Sequence, residues 1–483
     1  MSLLSSINDK LFSQTTPGWY LGYARIVTGL TLLYSLFSNR YYYILDVSNF
    51  PYTNTYDGFE WIQPIPQAEM RMLVLVGYII YLLFTLGILY RPISILSALI
   101  TWYFFFLEKG NYNNHYYLHC LFASLFTLVD AHTLSIDSVF RKKKILHHPF
   151  WQLFLFKFQI AVVYFYGGIA KLNVDWLHGY PLRYWLHNYG QTLEEGSFFN
   201  QFFCHEYTSL VYSYGGIAFD LAVPVILFLP RIRMWALPVV VMFHISNHFA
   251  FNIGSFPWMM LALTLLYFED IPIIAKWWKR RCKKLKNRER IYDYGKIKRN
   301  VLLVFIGTYI AFQVLFPLRQ FVFRGHPAWT GQGNWFAWRM MLTDSVDAVS
   351  IRIRVPKDNV DMYVDVEHYM NFYQFNKAVR CPMIVLKFID HLKDNLREHG
   401  VLDDAIINLE MYKAINFRPP TLFNDTTLNY AKIDYNPLIS QNWIMPYDRN
   451  ADELKFTEER YEEWREMITE RDKRLNELEN RTE

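Results

Sequence analysis

The chain has 483 residues, 52% of them hydrophobic, 18% aromatic and only 19% charged, yet its mean hydropathy is close to zero at +0.03. Soluble domains carry about 25% charged residues, so the average conceals two unlike halves. The net charge of +5 is too small for a nucleic-acid binder, and four cysteines (Cys120, Cys204, Cys282, Cys381) without a CxxC pair exclude a zinc ribbon, a thioredoxin motif and a disulfide scaffold.

In chain order, the N-terminal stretch MSLLSSINDKLFSQTTPGWY has neither a basic n-region nor an A-x-A cleavage site, so the first apolar run is expected to stay as a signal anchor. Apolar runs long enough to cross a bilayer recur at 18–38, 70–90, 93–109, 116–134, 151–171, 208–229, 234–253, 257–274 and 299–318. They lack the amphipathic period of a large soluble helical protein. The expected fold is a polytopic α-helical membrane bundle of about nine spans over 1–318, followed by an exported α+β domain over 319–450 and a charged C-terminal helix over 451–483.

An N-terminus inside the cell makes the cytoplasmic loops those with Arg91, Arg141-Lys142-Lys143-Lys144, Arg231 and Arg233, and the segment 276–299 with its twelve Lys or Arg residues. The opposite loops hold few cations, which fits one orientation. The run 276–299 then reads as a juxtamembrane anchor facing anionic lipid rather than a nucleic-acid patch.

Beyond residue 318, VSIRIRV (349–355) and VDMYVDV (360–366) alternate as hairpin strands across the polar PKDN. PMIVLKFIDHLKDNLREHG (382–400) has a helix's starting proline and terminal glycine, and INLEMYKAIN (407–416) alternates again. The run from Ala451 to Glu483 is mostly Glu, Arg and Lys and reads as a solvated helix.

Polar groups inside or at the ends of spans are functional candidates because lipid makes them costly. Three segments converge on the outer end of the bundle. Asn113-Asn114-His115 opens the fourth span, GGIAKLNVDWLHGYPLRYWL (167–186) ends the fifth, and FHISNHFAFNIGSFPWMML (243–261) ends the seventh. His244 and His248 have i,i+4 spacing, but no third ligand accompanies them and no Glu sits between them as in HExxH, so no metal is predicted. Lys171 has two readings: a lysine snorkelling to the interface, or one facing the bundle interior, where desolvation would favour a neutral amine usable as a base. Gly167-Gly168 just before it favours the second, since glycines admit a close neighbour. Asn114 and His115 could cap the free N–H groups of their helix or take part in chemistry.

The segments YFYGGIAKLNVDWLHGY, NNHYYL and FHISNHFAFNIGSFPWMML resemble those of the vitamin K-dependent γ-glutamyl carboxylase family, whose membrane part is shared with bacterial proteins carrying the HTTM domain. The resemblance continues through WFAWRMML (335–342) and Ala414-Ile415-Asn416 and covers about residues 17–447. It implies Lys171 as catalytic base, Asn114 and His115 as the active-site pair, and His244 and Asn247 as the FHxxN element. Tyr164, Trp176, Tyr180, Trp338 and Arg339 are the further residues expected to bind quinone or substrate. The implied co-substrates are reduced vitamin K (a hydroquinone), O2 and CO2. The amine deprotonates the hydroquinone, reaction with O2 yields a strong base that removes a γ-proton from glutamate, the carbanion adds CO2, and the quinone leaves as an epoxide. The implied partners are membrane lipid and a glutamate-containing protein or peptide on the exported side, with no nucleic acid.

Departures from the animal members shape the remaining expectations. Their second lysine before the base is Ala170 here, which leaves Lys171 alone. Their disulfide between the first outer loop and the exported domain has no counterpart, because 39–69 contains no cysteine; Cys204 and Cys381 are the one pair expected outside. The chain is short for the family, so propeptide-directed recognition is not expected, and a bacterial inner membrane is the expected location. Carboxylation coupled to epoxidation is the leading reading. Quinone epoxidation alone, and a non-catalytic membrane protein binding lipid or a partner, are the alternatives.

Overall fold

The structure, a computed structural model, describes residues 3–38, 44–45, 47–251, 254–268, 271–447 and 454–482. Helix forms within every expected apolar segment. In chain order these are α1 Trp19–Phe37, α2 Gln67–Leu86, α3 Tyr90–Phe106, α4 Asn114–Leu128, α5 Phe150–Lys171, α6 Glu206–Leu227, α7 Arg233–Phe251, α8 Phe256–Thr264, α9 Pro272–Leu285 and α10 Lys296–Leu315. Among the described residues, the length and hydropathy of a crossing are met by α2, α5, α6 and α10 with its continuation to Phe321, and by a fifth if α8 and α9 count as one bent span. Length and hydropathy thus support four or five full spans among the described residues and do not confirm nine.

The reasons are local. A 15-residue helix such as α4 is about 22 Å long, short of a hydrocarbon core about 30 Å thick. Helix α3 stops at Phe106 after 17 residues, so Glu108, expected inside a span, stands in the connection beyond it. Helix α1 carries Arg25, whose buried guanidinium donates to the carbonyls of Phe84, Thr85, Ala131, Thr133 and Leu134. The fork thus satisfies the open C-terminal carbonyls of α2. The run expected over 257–274 breaks, and Pro272 opens a new helix bent by 61° from the one before. Helix α10 is the periphery: it buries Ile306 and Gln313 and exposes Val301, Val304 and Leu315, apolar surface suited to lipid.

The C-terminal region is α+β. Its strands β1 Ser345–Val355, β2 Val360–Tyr363, β3 Ile406–Ile415 and β4 Thr421–Leu422 form one antiparallel sheet in the order β2-β1-β3-β4. The hairpin lies where the alternation predicts it, with Val355 opposite Val360 and Asn359 left-handed in the turn. Two helices, α11 Phe372–Arg380 and α12 Pro382–Glu398, follow β2 in the chain. Leu386, Ile389 and Leu392 of α12 share a core with Ile351, Ile407 and Leu409 of the central strands. The final helix, α13 Glu458–Thr482, is not merely a solvated one. Its Tyr461 and Trp464 are buried with Tyr184 and Phe417, and Arg471 pairs with Asp344 at 3.4 Å. Two aromatics three residues apart make one apolar stripe on an otherwise charged helix.

The helical part and the sheet are joined by buried polar contacts. All four cysteines are free, so Cys204 and Cys381 do not pair. Instead, Glu108 accepts from the backbone N–H groups of Asn54 (2.7 Å) and Gly110 (2.8 Å) and from Gln374 Nε2 (2.8 Å). Beside it Asp57 accepts from Lys109 (2.7 Å), Lys387 (3.2 Å) and Tyr435 (3.1 Å). These bonds tie the first loop and the α3–α4 connection to α11 and α12 without a covalent link.

Burial pushes the Glu108 carboxyl up to about 7, against the pull of Gln374 and the two N–H donors. A carboxyl raised in the folded state keeps its proton longer there than in the unfolded chain. Its contribution is therefore complete below the ordinary carboxyl value of 4.5 and is lost as pH rises through about 7. Thermal melting of the purified protein from pH 4.5 to 8 should show the wild type losing stability relative to Glu108→Gln, by on the order of 3 kcal/mol. A pH-independent gap between the two proteins would contradict it.

Candidate active site

Helices α4 to α8 and the segment between α10 and β1 enclose a cavity of about 880 Å³, a size suited to a ligand of drug-like dimensions. Helix α5 supplies the central group. Lys171, its last residue, is 8% exposed and donates to Asp220 Oδ2 at 2.5 Å and to the Gly167 carbonyl at 3.3 Å. Its ammonium stands 5.4 Å from the centre of the Trp176 ring. The lysine faces the bundle interior, not the headgroups.

Gly167-Gly168 explain how Asp220 comes so near. A Cβ on Gly168 would stand 2.7 Å from Leu221 Cδ2, and one on Gly167 would stand 3.2 Å from Asp220 Oδ2. Only glycine lets α6 approach closely enough to place its carboxylate on the lysine.

Around this pair the other expected residues fall into two groups. Asn114, His115, Tyr164, Trp176, His244, Asn247 and Arg339 line the cavity with Lys171. Tyr180 and Trp338 are not among its lining residues. Tyr180 is buried against Phe417 in the contact with the C-terminal region, and Trp338 packs on Tyr117 with ring centroids 5.1 Å apart.

The polar wall is anchored from both parts of the chain. Asn114 accepts from Tyr112 Oη at 2.8 Å and donates to the Arg339 carbonyl at 2.8 Å, while the Phe336 N–H donates to Tyr112 Oη at 2.7 Å. Asn114 thus bonds to the segment that closes the cavity. His115 stands beside Phe256, 5.9 Å between ring centres. His244 Nε2 and Tyr164 Oη are 2.7 Å apart, and the same hydroxyl is 3.0 Å from Thr264 Oγ1. His244 is thereby engaged with a phenol, while His248 lies against Trp258 at 5.1 Å. Among the described residues, no three His, Cys, Asp or Glu side chains gather in a metal-binding group.

The closing segment WFAWRMML is strained. Phe336, Trp338 and Met341 all have φ between 52° and 58°, a left-handed backbone that costs a bulky residue on the order of 1 kcal/mol or more. The strain is held by the Tyr112 bond and by Arg339, whose guanidinium donates to Gln320 at 2.9 Å. Arg339, Met340 and Met341 consequently enter the wall.

Next to the cavity, Asp175 and Arg418 form an ion pair of 2.9 Å with no exposure of either side chain. Asn416 donates to the other Asp175 oxygen at 2.7 Å and accepts from the Asp344 N–H at 2.9 Å. Asn416 and Phe417 are again left-handed, with φ of 50° and 77°. The AKLNVDW and AIN elements, distant in sequence, meet at this joint.

Two charged cavity residues were absent from the sequence expectations. Asp220 is a lone acid inside an otherwise apolar run, a signal that points to a partner inside the bundle, but it lies in mid-span, away from the span ends that carry the other polar residues. Lys377 of α11 reaches the cavity from the C-terminal region. Crowding by protein, reinforced by Arg380, pushes its ammonium down to about 8. Its place depends on how α11 docks, which no local pattern encodes.

Comparison with known families gives two matches. Residues 13–270, more than half of the chain, match the HTTM domain. Residues 298–450 match the lumenal domain of vitamin K-dependent gamma-carboxylase. No solved structure matches the chain.

Proposed function

The chain belongs to the vitamin K-dependent gamma-carboxylase family, and from that premise we propose that this integral membrane protein couples epoxidation of reduced vitamin K by O2 to carboxylation of glutamate in a protein or peptide. The observation that carries the reading is a buried lysine amine, paired to a carboxylate, facing a cavity of about 880 Å³. The wall has the composition a prenylated naphthoquinone needs: Phe219, Phe243, Phe251 and Met260 offer apolar surface, and Lys171, Asn114 and His115 offer polar atoms.

When bound, reduced vitamin K supplies, through its reaction with O2, the strong base and the energy for carboxylation. Lys171 Nζ receives the proton of the hydroquinone hydroxyl. For this the amine must be neutral, and Asp220 Oδ2 is placed to hold the proton that leaves the ammonium. His115 and Asn114 orient the quinone oxygens, with Asn114 fixed by Tyr112 and the Arg339 carbonyl. The Tyr164 hydroxyl, held between His244 and Thr264, offers a further polar contact on the opposite wall. Lys377, a cation reaching the cavity from the C-terminal region, holds the carboxylate of the incoming glutamate. Surrounding protein excludes water that would quench a strong base.

The assay uses the purified full chain in nanodiscs with reduced vitamin K, O2, labelled CO2 and a glutamate peptide. Epoxide and label should appear together, and Lys377→Met should raise the KM for the peptide by about tenfold while leaving epoxide formation without peptide unchanged. Epoxide without label would assign the protein to epoxidation alone. No hydroquinone consumption would overturn the enzymatic reading.

A further inference from the structure

The basic excess of the chain does not form only a diffuse stripe. At the end of the bundle opposite the C-terminal region, a small surface recess of about 30 Å³ opens between the segment that precedes α5 and helix α9. Helix α5 fixes that placement: it begins at Phe150 next to this segment and ends at Lys171 beside the C-terminal contacts, about 33 Å away. The recess is lined by Arg141, Lys143, Lys144 and Arg281, with Trp278 and Leu285 as apolar surface, and no carboxylate lines it.

The recess is built, not formed by loose loops. The backbone of Lys144 exchanges two hydrogen bonds with the basic segment just beyond α9, donating to the Arg288 carbonyl at 2.6 Å and accepting from the Arg290 N–H at 2.8 Å. Trp278 Nε1 donates to the Leu146 carbonyl at 3.2 Å. Lys144 Nζ is itself tied to the Ser138 and Val139 carbonyls. Nearby carboxylates are spent elsewhere: Asp130 on Arg290 and His132, Glu289 on His147, Asp137 on the N–H groups of Leu89 and Tyr90. Among the described residues, Arg141, Lys143 and Arg281 show no ion pair within 4 Å.

We propose that this recess binds the phosphate headgroup of an anionic phospholipid. Helix α9 favours a lipid over a free anion. Ile274, Trp278 and Cys282 pack inward on the bundle, while Ile273 and Trp277 of the same helix are exposed, 82% and 45% respectively. An amphipathic helix with exposed Ile and Trp among Lys and Arg lies at a membrane surface. Basic pockets at that depth take phospholipid headgroups. The cations hold the phosphate, and the exposed apolar side chains accompany the acyl chains. This site is independent of the cavity at Lys171 and of the reaction proposed there.

The test measures phosphatidylglycerol retained by the detergent-purified full chain, by native mass spectrometry during titration. Wild type should bind one molecule saturably, and Arg141→Gln/Lys143→Gln/Arg281→Gln should weaken it about tenfold or more. These side chains bury no ion pair, and equal melting temperatures will establish that the triple variant folds. A charge-matched control, Lys276→Gln/Lys279→Gln/Lys283→Gln, removes three cations of α9 that do not line the recess and should change affinity by less than about threefold. Equal losses in both triples would reduce binding to diffuse surface charge and overturn the site, as would an unaltered affinity in the first. Inorganic phosphate at millimolar concentration should not displace the lipid; displacement would make the recess a free-anion site.

Discussion

Lys171→Ala should lower hydroquinone consumption by about 10²- to 10⁴-fold, the usual contribution of a positioned general base. The same result would follow from misfolding, because truncating the lysine leaves Asp220 as an unpaired buried carboxylate. Breaking a buried pair by removing one partner costs about 3–5 kcal/mol, whereas replacing both by apolar residues of similar volume is often neutral. The informative protein is therefore Lys171→Met/Asp220→Leu. Its melting temperature should return close to the wild-type value while epoxide formation stays absent. Asp220→Asn supplies the converse: it keeps the volume and a hydrogen bond but removes the group that takes the lysine proton. Its turnover should fall while its melting temperature stays close to the wild-type value. A Lys171→Ala protein with full epoxidation would end the assignment of the base.

The second large effect is structural. Asp175→Ala should destabilise the protein by about 3–5 kcal/mol, because the Arg418 guanidinium has no exposure and loses its carboxylate. Asn416 would lose a partner in the same step. The joint lies between the membrane helices and the sheet, so limited proteolysis should release the C-terminal region faster from the variant than from wild type. Asp175→Leu/Arg418→Met should recover most of the melting temperature. If Asp175→Ala melts like wild type, this joint does not hold the two parts together.

Much of the cavity could be read from the chain itself. Polar residues that open or close apolar runs are rare enough to be informative, so Asn114, His115, Lys171, His244 and Asn247 were identifiable from position alone. The glycine pair before Lys171 predicted a close neighbour, and α6 is that neighbour. Tyr180 and Trp338 belong to the same recognisable segments but pack outside the cavity wall. A segment's likeness to a family does not say which of its aromatics turns inward, since that depends on the backbone, here left-handed at Trp338. Asp220 and Lys377 show the opposite failure. Each comes from an element whose approach to the cavity is set by packing, so neither could be attached to Lys171 by spacing.

Apolar runs, basic loops and strand alternation depend on interactions within about twenty residues, so the helical segments, the hairpin over 345–363 and the helix opening at Pro382 were determined by local sequence. Whether a helix crosses a bilayer is only partly local. α3 and α4, apolar but of 17 and 15 residues, lie at or below the lower end of the length a crossing needs, and the run beyond Phe256 turns through 61° where proline restarts it. The meeting of Lys171 with Asp220, of Asp175 with Arg418, and of Glu108 with Gln374 was decided by tertiary structure. Their partners lie 49, 243 and 266 residues apart, and burying such groups is tolerable only once a distant partner arrives. The +5 charge with which the chain began therefore says little as a total. Its meaning lies in which cations found a carboxylate inside the fold and which, around the recess of α9, pair with none among the described residues.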